Sequence, residues 1–197
     1  MPRPYCRGCR LPLNACLCAA IRRQPCPLPV VVLQHPSEAR NAKSTVPLLQ
    51  LGLSGLRVEV AETMAPPLGN WWLLYPGGDA VDLDGGEPGP GVPIDGLIVL
   101  DGTWRKTRRL LYLNPWLPDL PRLSFSQAPA SRYAIRKGPG GQALSTLESL
   151  AHVLHRLSCH FDPRPLYRLL DTRVALFQAH QPRRTGKDSL DQLHHQE

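Results

Sequence analysis

The chain has 197 residues with a formal net charge of +7, which favours a polyanionic partner, although a basic protein without one stays an alternative. Its length suffices for one well-buried core with a small appendage, and 42% hydrophobic residues exclude a disordered chain despite 22 prolines and 16 glycines. No apolar run approaches the roughly 20 residues of a membrane span, and the N-terminus lacks the apolar core of a secretory signal. We therefore expect a cytoplasmic protein with reduced cysteines and no membrane partner.

A dense cysteine cluster opens the chain in the pattern C-x2-C-x6-C-x-C: Cys6, Cys9, Cys16 and Cys18. In a reducing compartment this spacing predicts tetrahedral thiolate ligation of zinc. Four thiolates would fill the coordination shell and leave no position for a reacting water, so we expect structural zinc in a knuckle. Because arginines surround the cysteines, a secondary role in RNA binding stays open. We divide the chain into a zinc knuckle (1–26), a main domain (27–180) and a flexible tail (181–197).

Further along the chain, strand and helix patterns alternate. Apolar, β-branched or alternating runs predict strands at residues 28–34, 56–60, 71–75, 97–100 and 121–125. Helices are predicted from about residue 44 to 52 or 55, from the basic segment after residue 100 to about 114, and within 142–160 and 163–180. The acid-, glycine- and proline-rich segment 77–96 is expected to be an exposed connection. This alternation predicts an α/β fold with a mostly parallel sheet flanked by helices.

Three segments are expected to meet at the carboxyl ends of parallel strands, where open α/β sheets bind ligands. They are Gln34-His35-Pro36, Leu100-Asp101-Gly102-Thr103-Trp104 and the stretch from Arg132 to Glu148. Asp101 ends a strand and precedes a glycine, which is typical of a ligand contact. An aspartate there also suits the N-cap of the following helix, so both interpretations stay open.

Two further motifs carry alternative interpretations. Ser145 and Glu148 match the S-x-x-E capping box, which by itself accounts for both residues. Tyr133 stands among basic residues and glycines, which suits phosphate contact and base stacking, whereas a solvated loop is the competing interpretation. Trp104 and Trp116 would ordinarily be core residues.

Taken in order, these motifs resemble the DTW-domain proteins, a family of tRNA-uridine aminocarboxypropyltransferases. Besides the four cysteines, the matching blocks are His35-Pro36-Ser37-Glu38 with Lys43-Ser44-Thr45, Leu100-Asp101-Gly102-Thr103-Trp104, Tyr133-x-Ile135-Arg136-Lys137 and Ser145-Thr146-Leu147-Glu148. They follow the family's order and extend to about residue 150. Ser44 is a departure, since many members carry asparagine there.

The resemblance implies a reaction. Such enzymes transfer the 3-amino-3-carboxypropyl group of S-adenosylmethionine to N3 of a tRNA uridine, which in bacterial members is the variable-loop uridine, and release 5′-methylthioadenosine. The family also looks related to SPOUT-type RNA methyltransferases. We therefore expect a SPOUT-like fold, and by analogy a knot in the C-terminal half.

The resemblance also assigns the candidate site. Asp101 is predicted to accept or orient the uracil N3 proton. Contacts to S-adenosylmethionine are predicted for Gln34, His35, Pro36, Leu100, Gly102, Thr103, Trp104, Leu144, Ser145, Thr146 and Glu148. Contacts to tRNA are predicted for Arg105, Lys106, Arg108, Arg109, Arg132, Tyr133, Arg136 and Lys137.

Two other functions stay open. A SPOUT-like RNA methyltransferase would use the same donor with the opposite choice of carbon, because a pocket decides which sulfur-bound carbon of the sulfonium meets the nucleophile. A zinc-knuckle RNA-binding protein would have no catalysis at all. Nucleoside mass spectrometry of treated tRNA separates the three.

Overall fold

A computed structural model describes residues 4–85, 91–135 and 144–179. The strands are β1 (Gln24–Gln34), β2 (Leu53–Val60), β3 (Trp71–Leu74), β4 (Val81–Asp82), β5 (Gly96–Asp101) and β6 (Arg122–Ser124). The α-helices are α1 (Pro36–Ala39), α2 (Val46–Gly52), α3 (Trp104–Leu113), α4 (Thr146–Leu157) and α5 (Arg164–Ala179). Short 3-10 turns cover Leu13–Ala15 and Cys18–Ala20. Within these ranges no helix has the length and hydropathy of a membrane span.

The strands form one sheet in the order β2-β1-β5-β3-β6-β4, and the neighbours pair in parallel. β5 is buried along its whole length, which its apolar run Leu97–Leu100 permits on both faces of the sheet. The register of β1 with β5 runs from Val30 opposite Leu97 to Gln34 opposite Asp101. Two polar residues therefore end neighbouring central strands at the same edge of the sheet.

Two hydrophobic cores cover the two faces of this sheet. The larger core joins Val32 and Val99 of the strands to apolar residues of α2, α4 and α5, among them Leu150 and Leu170. The smaller core joins alternate strand residues to Leu110 of α3. Leu17, between two of the clustered cysteines, is 1% exposed and belongs to the larger core, so the N-terminal segment packs onto the sheet domain.

The sequence patterns predict this architecture in outline. The mostly parallel α/β sheet and the flanking helices are confirmed, with helix ends within a few residues of expectation. β1 begins at Gln24, inside the segment assigned to the knuckle, so the boundary at residue 26 stays a prediction. The knot also stays a prediction, and the tail predicted for residues 181–197 lies outside the described residues.

Residues 77–96 were predicted to be an exposed connection, and this is wrong for residues 81–84. The segment contains β4, which pairs with β6 through only two residues and therefore leaves no periodic signal in the sequence. The Asp84 side chain is only 6% exposed. It accepts a hydrogen bond from Gln127 N at 2.8 Å and lies 3.1 Å from His152 Nε2, so the buried carboxylate has polar partners. Arg156 adds an ion pair to Asp84 at 3.2 Å, so this acid is part of the fold.

Candidate active site

The centre of the candidate site is Asp101, the last residue of β5. The amide of Gln34 donates to Asp101 Oδ2 at 2.8 Å, and the hydroxyl of Thr146 donates to Oδ1 at 2.5 Å. Gln34 also donates to Ser44 Oγ at 3.1 Å. Both oxygens of a carboxylate that is only 7% exposed are thus held by β1 and by the start of α4.

Asp101 is not the N-cap of α3, although the sequence left that interpretation open. The N-cap is Thr103, whose backbone is extended and whose side chain accepts from Lys106 N at 3.4 Å. Because the helix begins two residues later than an Asp101 cap would require, the carboxylate is available to the cleft beside it.

A small polar cleft opens at this end of the sheet. Its lining residues are Glu38, Asn41, Lys43, Ser44, Thr45, Asp101, Gly102, Tyr133, Ser145 and Thr146. Two of these are buried carboxylates, with Glu38 5% and Asp101 7% exposed. Acids and hydroxyl groups dominate the lining and Lys43 adds a cation, so the cleft suits a polar ligand.

Glu38 is charge-compensated from the helix that follows Asp101. Lys106 Nζ lies 2.5 Å from Glu38 Oε1, and Asn41 Nδ2 donates to Glu38 Oε2 at 2.8 Å. A buried carboxylate needs such partners to remain ionised at acceptable cost. Lys106, predicted to contact tRNA, therefore joins α3 to α1.

The capping box at the start of α4 is confirmed and has an additional task. Ser145 donates through its hydroxyl and its backbone N–H to Glu148 Oε2, at 2.7 and 2.8 Å. Glu148 Oε1 accepts from Arg132 N at 2.6 Å, and the Ser131 hydroxyl donates to the same carboxylate. Glu148, 3% exposed, thus fixes the preceding loop to α4.

The Tyr133 side chain is neither solvated nor exposed enough to stack on a base, so both interpretations of this residue are wrong. Tyr133 is 6% exposed, and its hydroxyl donates to the Lys43 carbonyl at 2.5 Å, so it is a wall of the cleft. Arg132 pairs with Asp171 at 3.0 Å and lies 5.2 Å from the Tyr167 ring centroid. Arg136 and Lys137, also predicted RNA contacts, lie outside the described residues.

His35, the residue after β1, has a partner at each ring nitrogen. Its Nδ1 accepts from Ser37 N at 3.3 Å as the N-cap of α1, while its Nε2 lies 3.1 Å from Glu62 Oε1. Arg109 holds the same glutamate through two hydrogen bonds, of 2.8 and 3.0 Å. The Arg109 guanidinium keeps the pKa of Glu62 below its ordinary value.

Trp104 is not a core residue, contrary to expectation. It is 61% exposed and meets Tyr75 edge to face, with 6.0 Å between ring centroids. The cause is the helical period, since Thr107 and Leu110 occupy the buried face of α3. Arg105 and Arg108 are also exposed, and the described part of the chain offers neither of them an ion pair or hydrogen bond.

The predicted donor-binding set overlaps the cleft in part. Gly102, Ser145 and Thr146 line it, together with Asp101. Outside the described lining lie Gln34, His35, Pro36, Leu100, Thr103, Trp104, Leu144 and Glu148. The lining residues that the sequence analysis did not assign are Glu38, Asn41, Lys43, Ser44 and Thr45. All but Asn41 lie in motifs that carried the family resemblance, and this could have drawn attention to them.

The four N-terminal cysteines form a second candidate site. The Sγ atoms of Cys6, Cys9, Cys16 and Cys18 all lie within 4.8 Å of one another, and none is in a disulfide. Backbone N–H groups of Cys9 and Gly8 lower the pKa of the Cys6 thiol to about 6, whereas the hydrogen bonds of Cys6 and Cys16 raise the pKa of the Cys18 thiol to about 12. A Cβ at Gly8 would lie 3.0 Å from Cys18 Sγ, so the glycine leaves room for the cluster. The arrangement can hold a metal ion.

Most of the chain is similar to known proteins. The DTW domain family matches residues 3–183. Proteins named tRNA-uridine aminocarboxypropyltransferase 2 from Macaca fascicularis and Mus musculus are each 30% identical over 77% of this chain and 56% of their own length. The protein of that name from Drosophila melanogaster is 31% identical over 77% of this chain and 66% of its own length. The chain thus spans little more than half of the two mammalian relatives. No solved structure matches it significantly.

Proposed function

The chain belongs to the DTW-domain family, and on that premise we propose that it is a tRNA-uridine aminocarboxypropyltransferase. The names of the relatives support this activity and its tRNA substrate. We propose S-adenosylmethionine as the donor and N3 of the variable-loop uridine as the acceptor. The observation that carries the proposal is the fixed, buried Asp101 carboxylate beside a polar cleft.

The reaction forms one carbon–nitrogen bond and breaks one carbon–sulfur bond, and uridine N3 loses its proton. Uridine N3 forms a bond to a sulfonium-bound carbon of the donor. The bond from that carbon to sulfur breaks, and its electron pair stays on the sulfur of the departing 5′-methylthioadenosine. The N3 proton must go to a base or to water as this happens, because the ring nitrogen is a weak acid. We assign the acceptance or orientation of that proton to Asp101.

The hydrogen bonds around Asp101 suit this role. A carboxylate has about four acceptor positions, of which Gln34 and Thr146 occupy one on each oxygen. The remaining positions allow a contact to a substrate N–H in the cleft. Since both donors come from rigid elements, β1 and α4, the carboxylate is oriented before substrates bind.

The cleft fits the chemical character of the proposed donor. Asp101 is a buried acid that favours the positive charge of a sulfonium or ammonium group, whereas Lys106 already compensates the charge of Glu38. Ser44 and Thr45 offer hydroxyl groups for polar parts of the donor. We also propose that the four-cysteine site holds zinc in a structural role.

The test uses two labelled donors with purified protein and unmodified tRNA. One S-adenosylmethionine sample carries its label in the methyl group, and the other carries it in the carboxyl group of the aminocarboxypropyl chain. We expect only the carboxyl label to enter tRNA, and nucleoside mass spectrometry to find it on uridine from the variable-loop fragment. Methyl label in tRNA would instead identify a methyltransferase, and no label in either experiment would contradict the proposed enzyme.

A further inference from the structure

Helix α3 presents two aromatic rings and two guanidinium groups to solvent. We name this surface, made of Trp104, Arg105, Arg108 and Tyr112, the α3 face. From it we infer that the protein binds an unpaired stretch of RNA beside the cleft, with bases stacked on the rings and phosphates held by the arginines. The inference rests on the proposed function for the identity of the RNA as tRNA, and adds how that RNA is held.

The exposure of the aromatic rings is the first observation. Tyr112 is 84% exposed and Trp104 is 61% exposed, although large aromatic side chains are usually mostly buried. Trp104, Arg108 and Tyr112 follow one another at four-residue intervals, which places them along one side of the helix. The two rings are therefore separated by about 12 Å along the helix axis, with a guanidinium between them.

The arginines of this face have no task within the described fold. The basic segment after Asp101 divides into two pairs. Lys106 and Arg109 are bound to Glu38 and Glu62. Arg105 and Arg108 are exposed, and the salt bridges found across the described residues include neither. Two guanidinium groups are thus available to an external anion.

Position connects the α3 face to the candidate site. Trp104 is the first residue of α3, three residues beyond Asp101, and Gly102 between them lines the cleft. The edge contact with Tyr75 restrains the Trp104 ring at this place. A nucleotide that stacks on Trp104 would therefore lie next to one that enters the cleft.

The mixture of groups selects the class of partner. Aromatic rings interleaved with arginines are the pattern that binds single-stranded nucleic acid, by base stacking and phosphate contact. Bases within a duplex already stack on one another, so a protein ring gains a base only where pairing is absent. The net charge of +7 adds attraction for a polyanion. An unpaired RNA segment therefore suits the aromatic rings, the arginines and the net positive charge.

The experiment measures binding of a short oligouridine RNA to the full chain, without any donor. A Trp104→Leu, Tyr112→Leu variant removes the stacking surfaces but keeps apolar side chains, and Arg105→Gln, Arg108→Gln removes the charges. The control is Arg57→Gln, Arg168→Gln, which deletes two exposed arginines on β2 and α5, of which Arg57 pairs with Glu59 at the surface. Trp104→Phe keeps a ring and serves as the conservative variant.

We expect the aromatic variant to weaken oligouridine binding about tenfold or more, and the conservative variant Trp104→Phe to retain most of the wild-type affinity. Log affinity falls with log salt, and this fall should be less steep in the arginine variant, by roughly 0.7 for each phosphate that the protein no longer neutralises. The control should retain the wild-type slope, and duplex RNA should bind no better to wild type than to the aromatic variant. Equal oligouridine binding by wild type and the aromatic variant would overturn the inference.

The outcome is separable from that of the proposed function. Oligouridine binding is measured without donor and without transfer, so a protein that transfers nothing can still show the expected pattern. Conversely, a protein that transfers the aminocarboxypropyl group but binds oligouridine equally in all variants refutes the α3 face alone. Melting temperatures of the variants, which alter only exposed side chains, should stay close to that of wild type.

Discussion

The hydroxyl of Thr146 donates to Oδ1 of Asp101 across 2.5 Å, and this contact joins the first residue of α4 to the last residue of β5. The sequence separation is 45 residues, so the contact exists only in the folded chain. Gln34 holds the other carboxylate oxygen. In the proposed reaction these two donors set the direction in which Asp101 receives a proton, so we predict that they act as positioning residues.

Thr146→Val should therefore slow transfer while the fold is kept. The change is nearly isosteric but deletes the hydroxyl donor, and hydrogen bonds to charged groups contribute about 1.5–3 kcal/mol. We expect kcat to fall by about tenfold or more while the KM for tRNA changes little. Thr146→Ser retains the donor and should recover most of the activity. Equal kcat for the valine variant and wild type would contradict the positioning role.

The cysteine site should bind metal and stabilise the fold. Metal analysis of the purified chain should give about one zinc per chain. Cys6→Ser should reduce the metal content and lower the melting temperature before it changes donor affinity. Cys159→Ser is the matched control, because Cys159 is an exposed thiol far from the cluster in sequence. A metal-free preparation that remains folded and fully active would refute structural zinc.

The two kinds of basic residue on α3 should differ in their effect on stability. Lys106→Gln removes the charge that compensates buried Glu38, and we expect the free energy of unfolding to fall by about 1–3 kcal/mol. Arg105→Gln is the control on the same helix, and it should change stability by less than about 0.5 kcal/mol. Urea denaturation measures both. Equal stability of the two variants would mean that the Lys106–Glu38 pair is not stabilising.

Much of the sheet could be predicted because its central strands are apolar runs. The run Leu97–Leu100 is long enough to mark β5, and the polar residue that ends it marks the edge of the sheet. The same logic identified Gln34 at the end of β1. What the sequence alone could not provide is the register, which pairs Gln34 with Asp101 and turns two strand ends into one site.

The misplaced residues share a physical cause, which is tertiary context. Trp104 was expected in the core from its residue type, but α3 buries a different side and leaves it exposed. Asp84 was expected in solvent, but His152 and Arg156 bring it partners from α4. Asn41 lines the cleft because of the fold alone, since no motif marked it. Local patterns record periodicity and capping, whereas these placements depend on distant partners.

The part of the cleft lining that was predicted came from motifs more than from chemistry. Capping alone accounted for Ser145 and Glu148, and the structure confirms the capping box. It also shows what the motif achieves, since Glu148 fixes the loop that carries Tyr133 against the cleft. A motif with a sufficient local explanation can therefore still be part of the support for a site.

The central claim is that Asp101 acts on the uridine proton, and Asp101→Asn tests it most directly. Asparagine keeps the size and much of the hydrogen bonding but lacks the charge that would accept a proton. Asp119→Asn, the same chemical change at an exposed position, is the matched control. A melting curve of each variant accompanies the assay, so that loss of fold is distinguished from loss of chemistry.

The decisive measurement is single-turnover transfer at saturating tRNA and S-adenosylmethionine, followed by nucleoside mass spectrometry of the modified uridine. We expect Asp101→Asn to remain folded and to transfer roughly 100- to 10,000-fold more slowly than wild type, as is typical when a general base is lost. The Asp119→Asn control should match wild type. A folded Asp101→Asn protein that transfers the aminocarboxypropyl group at a near-normal rate would contradict the role assigned to this carboxylate.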